Sequence, residues 1–105
     1  MPDEIRIGFM GATWPCKSHA EGFAPIKGVT FKAISEPLKE RRDQFAAKFG
    51  QMETYEDYHE MLKHAGLDAV VIGLPTGMHF DASCAALRAG CHVLCENRPP
   101  PTPAR

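Results

Sequence analysis

Residues 6–19 read RIGFMGATWPCKSH, an apolar strand that passes through a glycine turn into a helix. Glu36 stands further along, at the end of a second apolar strand. A glycine turn between a strand and a helix, paired with an acid after the next strand, is the layout of a dinucleotide-binding βαβ unit. The phosphates of such a ligand lie on amide groups at the helix N-terminus. The stretch therefore predicts both a fold and a ligand class.

The glycine fingerprint in this turn is incomplete. The pattern G-x-G-x-x-G, anchored on Gly11, reads here GATWPC, so only its first glycine is present. Thr13 stands where the backbone must approach phosphate, and Cys16 stands where the helix packs on the strand. Both side chains are small, and the Thr13 hydroxyl can donate a hydrogen bond to a phosphate oxygen. Taken alone, the stretch is equally compatible with an ordinary tight turn between a strand and a helix.

The acid at the end of the second strand sets the expected cofactor. A carboxylate at Glu36 can accept both ribose hydroxyls of NAD and would repel the 2′-phosphate of NADP. No arginine lies beside it in the sequence to hold that phosphate. The alternative is a solvated glutamate before Pro37, favoured by the dipole of the helix that follows. Together with the turn, Glu36 predicts NAD as the cofactor and NADP as the less favoured one.

Strands and helices alternate along the whole chain. We predict strands at Ile5–Met10, Val29–Ser35, Met52–Tyr55, Ala69–Leu74 and His92–Cys95, and helices from a Thr13 N-cap to Ala24 and over Leu38–Phe49, Tyr58–Ala65 and Met78–Ala89. This alternation predicts an α/β fold with a doubly wound, Rossmann-like parallel sheet in a single domain. We place the dinucleotide-binding domain at residues 1–96 and an extended, proline-rich tail at residues 97–105.

Composition excludes several classes of partner. The 105 residues carry a net charge of −1, without the basic excess that nucleic acids or membrane surfaces attract. No apolar run approaches the ~20 residues of a membrane helix, and the acidic N-terminus is unlike a signal peptide. The four cysteines have no framework spacing, which indicates reduced thiols in a cytoplasmic protein. Cys91 and Cys95 would lie ~13 Å apart along a strand, so we expect no metal site.

Beyond these motifs, residues 4–96 resemble the N-terminal nucleotide-binding domain of the Gfo/Idh/MocA oxidoreductases. The matching stretches are Ile5–Gly11, His19, Ala33–Pro37, Lys48–Gly50, Tyr55–Tyr58, Leu67–Ile72, Pro75–His79 and Ala89–Glu96. Single stretches are unspecific, but their order and spacing together are typical of this family. The resemblance implies a cofactor domain of an NAD-dependent sugar or polyol dehydrogenase.

The resemblance also implies roles for two further turns. In the family, the motif P-N/T-x-x-H after the fourth strand lines the nicotinamide half of the cofactor. It corresponds here to Pro75, Thr76 and His79. The family's E-K-P after the fifth strand is represented by Glu96, but Asn97 replaces its lysine, and we assign no catalytic residue. The candidate cofactor-binding residues are Gly8, Gly11, Ala12, Thr13, Trp14, Glu36, Leu74, Pro75, Thr76, His79 and Glu96.

Three functions remain open from the sequence. The first is a cofactor domain truncated before its substrate domain, which would not oxidise a substrate by itself. The second is a non-catalytic nucleotide-binding or regulatory module. The third is a fragment made by a frameshift, since loss of one base converts Lys-Pro codons into Asn97-Arg98. The nucleotide sequence beyond codon 97 would distinguish them. Because the family pairs through its second domain, we expect a monomer or weak self-association.

Overall fold

The computed structural model describes residues 4–50 and 52–95, in which five parallel strands alternate with four helices. The elements are β1 (Ile5–Met10), α1 (Trp14–Phe23), β2 (Val29–Ser35), α2 (Lys39–Phe49), β3 (Glu53–Tyr55), α3 (Tyr58–His64), β4 (Ala69–Ile72), α4 (Thr76–Arg88) and β5 (His92–Cys95). The strand order is β3-β2-β1-β4-β5. This confirms the predicted doubly wound α/β sheet. Glu96, Asn97 and the proline-rich tail lie outside the described residues.

Both faces of the sheet are covered by helices. On one face Phe9 packs against Phe45, with ring centroids 5.1 Å apart, in a cluster that includes residues of α1 and α2. On the other face Met10 and Met61 belong to a second cluster with residues of α3 and α4. Every residue of β4 is buried, as the continuous apolar run of a two-sided strand requires. The described part of the chain contains no helix that combines the length and apolar character needed to cross a bilayer.

The strand ends are aligned at one edge of the sheet. Met10 pairs with Ser35 on one side and with Ile72 on the other. The same row continues to Tyr55 in β3 and to Cys95 in β5. The chain leaves β1 toward β2 and later returns to its other side with β4, so the strand order reverses at β1. Ligands of doubly wound sheets bind in the crevice outside such a reversal.

The boundaries differ from expectation around Pro75. β4 ends at Ile72 rather than at residue 74, and α4 begins at Thr76 rather than at residue 78. Pro75 is the N-cap of α4, and its carbonyl accepts a hydrogen bond from the Met78 amide at 2.8 Å. A proline is well suited to the start of a helix, because its missing N–H is not needed there. The turn between β4 and α4 therefore keeps the predicted length of three residues but lies two residues earlier in the chain.

The start of α2 differs from the prediction. A helix over Leu38–Phe49 would place Leu38 on the buried face with Phe45, but α2 begins at Lys39 and the Leu38 side chain is 53% exposed. Leu38 is the N-cap of that helix and has an extended backbone, so it does not share the helical periodicity of Phe45 and Ala46. The buried face of α2 therefore begins at Phe45, about two turns after Leu38.

Candidate cofactor site

The turn between β1 and α1 requires a glycine at position 11. Gly11 has a φ of +96°, which L side chains rarely adopt. Its amide donates a hydrogen bond to the Ser35 carbonyl at 2.8 Å. A Cβ added at Gly11 would also lie 3.1 Å from the Gly73 carbonyl oxygen. Backbone conformation and space both exclude a side chain here, so the one retained glycine of the fingerprint is the one that the turn geometry demands.

Glu36 joins this turn to the end of β2. Its carboxylate is buried, with Oε1 accepting from the Ala12 amide at 2.8 Å and Oε2 accepting from the Leu38 amide at 3.1 Å. The Glu36 amide donates to the Tyr55 carbonyl at 2.9 Å. Each carboxylate oxygen can accept a second hydrogen bond, which leaves acceptor positions for ribose hydroxyls. The side chain thus has a structural role that the sequence did not predict.

Thr13 occupies the N-cap position of α1, as predicted, but does not cap the helix with its side chain. Its hydroxyl donates instead to the Gly73 carbonyl at 2.8 Å. Gly73 follows β4 directly, so this bond ties the start of α1 to the neighbouring strand. The Thr13 hydroxyl is therefore committed to the protein backbone in this structure, rather than directed at the amides of the helix.

Cys16 is a packing residue. Its side chain is buried, and Sγ lies 3.4 Å from the Met10 carbonyl oxygen and 3.7 Å from that of Val71. Burial raises the pKa of the thiol to about 12. The thiol is therefore protonated at neutral pH and does not act as a nucleophile. Cys16 fills the position of the third fingerprint glycine with a small, neutral side chain.

A cavity of about 570 Å³ opens beside the turn, between α1 and α2. Its lining includes Ala12, Thr13 and Trp14 from the turn and the cationic side chains Lys17, Arg41 and Lys48. The charged run Lys39–Asp43 is typical of a solvated helix face, but two of its arginines make further contacts. Arg41 lines the cavity, and Arg42 Nη1 donates to the Glu36 carbonyl at 2.8 Å. Arg42 is therefore in contact with the backbone of Glu36, and Arg41 lines the cavity beside the turn.

The second turn, between β4 and α4, lies beside the first. His79 Nε2 is 2.6 Å from the Leu74 carbonyl oxygen. A Cβ at Gly11 would lie 3.4 Å from Leu74 Cδ2, so the two turns are in contact. A smaller cavity of about 220 Å³, lined by Ser35, Tyr58, Leu74 and Met78 among others, adjoins the second turn and the end of β2. Both turns thus border the crevice at the strand reversal.

The structure brings most of the candidate residues to this edge. The first turn and the end of β2 contribute Gly11, Ala12, Thr13, Trp14 and Glu36, and the second turn contributes Leu74, Pro75, Thr76 and His79. Gly8 is separate from them, inside β1, where a Cβ would lie 2.4 Å from Leu67 Cδ1. Its geometry indicates close packing against α3 and the residues that follow it. Gly73 was missed, although a glycine directly after a buried strand is a signal of close backbone approach.

Comparison with known proteins identifies relatives over nearly the whole chain. Residues 5–103 match the model of the Gfo/Idh/MocA oxidoreductase family, described as an NAD-binding Rossmann fold. The chain is 34% identical over 92 residues to a 4-carboxy-2-hydroxymuconate-6-semialdehyde dehydrogenase of Sphingobium sp., covering 88% of this chain and 29% of the relative. It is 32% identical over 92 residues to an NADP⁺-dependent scyllo-inositol 2-dehydrogenase of Bacillus subtilis, covering 88% and 28%.

Comparison with solved structures also identifies relatives of the chain. A crystal structure of scyllo-inositol dehydrogenase from Lactobacillus casei, with bound NAD(H) and scyllo-inositol, superposes with a TM-score of 0.82 at 33% identity. The match covers 89% of this chain and 28% of that protein. The chain thus spans less than a third of the length of the relatives it matches.

Proposed function

Because the chain belongs to the Gfo/Idh/MocA oxidoreductase family, we propose that it binds a nicotinamide dinucleotide in the crevice between its two adjoining turns. The observation that carries this proposal is the joint geometry of Gly11 and Glu36. The glycine turn opens at the carboxyl end of β1, and the acid is held 2.8 Å from the next amide of that turn. In this proposal the helix terminus binds the phosphates and the adjacent carboxylate binds the ribose hydroxyls.

The charge of the site supports binding of the pyrophosphate. The first turn of a helix presents backbone amides that have no partner within the helix, and its dipole favours an anion. Pro15 removes one of these donors from α1, because proline has no N–H. Lys17 and Arg41, which line the adjoining cavity, supply positive charge close to the same place. We infer that these cations compensate for the shortened set of amides.

We propose that NAD is preferred over NADP, with Glu36 as the discriminating residue. A buried carboxylate repels a 2′-phosphate, whereas the lining cations Arg41 and Lys17 would attract one. Relatives with either cofactor exist, so the balance between these groups decides the preference of this chain. Calorimetric titration of the parent with both cofactors tests the proposal, and tighter binding of NADP would overturn it.

Two variants identify the groups that set this preference. Glu36→Gln removes the negative charge with little change in shape, so the ratio of NADP to NAD affinity should rise. Arg41→Ala should lower that ratio instead. Lys39→Ala is a matched control, because Lys39 pairs with Asp43 on the exposed face of α2. Equal ratios in all variants would mean that neither Glu36 nor Arg41 discriminates.

We propose that the protein to which this domain contributes oxidises a secondary hydroxyl group of a sugar or polyol. The relatives include inositol and glucoside dehydrogenases. A bound nicotinamide supplies the acceptor for the hydride, and the second turn is the candidate for holding that half of the cofactor. His79 is positioned there by its contact with the Leu74 carbonyl.

A non-catalytic nucleotide-binding module is the second candidate. It is favoured by Asn97, which stands where the resemblance to the family places a lysine. An asparagine side chain carries no charge and cannot act as a general acid. We expect the purified 105-residue chain to bind NAD without forming NADH from myo-inositol or glucose, also after Asn97→Lys. Steady NADH formation by the parent chain would exclude this candidate.

We propose that the 105-residue chain is a monomer or associates only weakly. Phe80 and Leu87 on α4 are 82% and 62% exposed, and exposed apolar side chains favour association. Light scattering over a concentration series measures the molar mass and so distinguishes a monomer from a dimer. A stable dimer at micromolar concentration would contradict the proposal.

A further inference from the structure

All three positions of the glycine fingerprint meet one residue outside it. A Cβ at Gly73 would lie 2.7 Å from Thr13 Oγ1 and 2.8 Å from Cys16 Sγ, closer than real Cβ contacts occur. The Gly73 carbonyl oxygen accepts the Thr13 hydrogen bond and lies 3.1 Å from the Cβ position of Gly11. Gly73 is buried and follows the last residue of β4. The turn therefore packs against the backbone of Gly73, where no side chain is present.

We propose that Gly73 is the positioning residue of the cofactor turn, and that it makes the incomplete fingerprint workable. A full fingerprint obtains close packing by placing glycines in the turn and the helix. Here Thr13 and Cys16 carry side chains at those positions, and the missing space is supplied from the opposite partner, β4. The glycine of this contact thus follows β4 instead of lying in the turn or in α1. We expect α1 to pack as closely on the sheet edge as it would with a full fingerprint.

The surroundings leave no other way to make room. The Gly73 amide donates to the Met10 carbonyl at 2.9 Å, so its backbone is fixed to β1 as well as to Thr13. Cys16 is fully buried, and its sulfur already lies against the carbonyls of Met10 and Val71. A methyl group at position 73 would meet the ends of two short side chains, Thr13 and Cys16, so we expect it to break the Thr13 hydrogen bond and displace the start of α1. That displacement moves the amides that we assign to the phosphates.

The test is a set of substitutions in the full 105-residue chain. Gly73→Ala is made in the parent and in a Thr13→Ala/Cys16→Ala background, where both opposing atoms have been removed. Gly22→Ala is the matched control, because Gly22 lies in α1 and a Cβ there would meet nothing within 4 Å. Three quantities are measured for each protein: the urea midpoint, the NMR shift of the Ala12 amide, and the Kd for NAD.

We expect the loss of urea midpoint caused by Gly73→Ala to disappear or reverse in the double-substituted background. Gly73→Ala lowers the urea midpoint of the parent but raises it or leaves it unchanged in the double-substituted background, where the methyl fills vacated space. In the parent it also shifts the Ala12 amide and weakens NAD binding by about tenfold or more, whereas in the background its effect on Kd is within about twofold. Gly22→Ala leaves the Ala12 shift and the Kd unchanged.

An equal loss of midpoint in both backgrounds would overturn the proposal. The proposal would also be overturned if Gly73→Ala in the parent chain changed neither the NMR shift of the Ala12 amide nor the Kd for NAD. If Gly73→Ala fails to fold in the parent, folding of the triple variant supports the proposal, and failure of the triple variant where the double variant folds refutes it. The binding measurement rests on the proposed function. If the parent does not bind NAD, that function fails, while the midpoints and the Ala12 shift still decide the role of Gly73.

Discussion

The two turns that border the crevice are built in opposite ways. In the first turn, Ala12 and Cys16 are buried, and hydrogen bonds connect it to Glu36 and to Gly73. In the second turn, Pro75 and Met78 are exposed, and the His79 ring contacts the Leu74 carbonyl within the same segment. The first turn is thus joined to distant parts of the chain along its length, whereas the second is joined to β1 and the first turn through the backbone of Gly73 at its start and exposes Pro75 and Met78 beyond it. We expect substitutions to have large effects in the first turn and small ones in the second.

The largest difference should appear in the reactivity of Cys16. With its pKa raised to about 12, the thiolate fraction at pH 8 is about one in ten thousand, and burial also blocks access to reagents. Iodoacetamide should label Cys16 about a thousandfold more slowly in the native protein than in urea. Peptide mass spectrometry over time measures both rates. Labelling at similar rates in the two states would mean that the first turn is open.

Loss of the Glu36 carboxylate should cause the largest loss of stability. Glu36→Ala leaves the amides of Ala12 and Leu38 without their acceptor, at a cost of about 2–4 kcal/mol in the free energy of unfolding. Glu36→Gln keeps one acceptor oxygen, so its cost should be intermediate. Urea denaturation at pH 7 measures both variants. Values within the error of the parent would show that the carboxylate does not hold the turn.

Substitutions at Thr13 test a single hydrogen bond of the same turn, the one to the Gly73 carbonyl. Thr13→Val keeps the shape of the side chain but removes the donor to the Gly73 carbonyl, which should cost about 1 kcal/mol. Thr13→Ser keeps the hydroxyl and should be less destabilised. The expectation would fail if serine were as destabilising as valine or more so, because the methyl group would then contribute at least as much as the hydroxyl.

The second turn should give the smallest effect. His79→Ala removes a contact with the Leu74 carbonyl in a half-buried position, so we expect a loss of about 0.5 kcal/mol or less. Met78→Ala, at an exposed neighbour, is the control. A loss at His79 as large as that of Glu36→Ala would mean that both turns are equally constrained, and the contrast between them would disappear.

The parts that depend on local pattern could be predicted from the sequence. The alternation of apolar strands and helices predicted β1 and β2 with their exact limits, because strand periodicity and turn residues are local signals. Glu36 was found because its distance from the glycine turn is a property of the sequence. Its bond to Ala12 was not predictable, since that bond depends on how β1 and β2 are aligned.

The remaining features arise from contacts between distant segments. Gly73 is separated from Thr13 by most of the chain, and only the pairing of β1 with β4 brings the two together. Arg41 belongs to a charged stretch that resembles any solvated helix face until α2 is placed beside the turn. Leu38 fits the helical pattern but lies at the N-cap, where that periodicity does not apply. Single-sequence patterns carry no information on such placements.

An NMR titration of the 105-residue chain tests the central claim most directly. NAD should cause saturable shifts in the amides of Gly11, Ala12 and Glu36 and also in those of Leu74 and His79. AMP, which lacks the nicotinamide half, should shift the first group and leave the second largely unchanged. Absence of saturable shifts at the first turn, or shifts confined to the opposite edge of the sheet, would contradict the assignment of this crevice as a dinucleotide site.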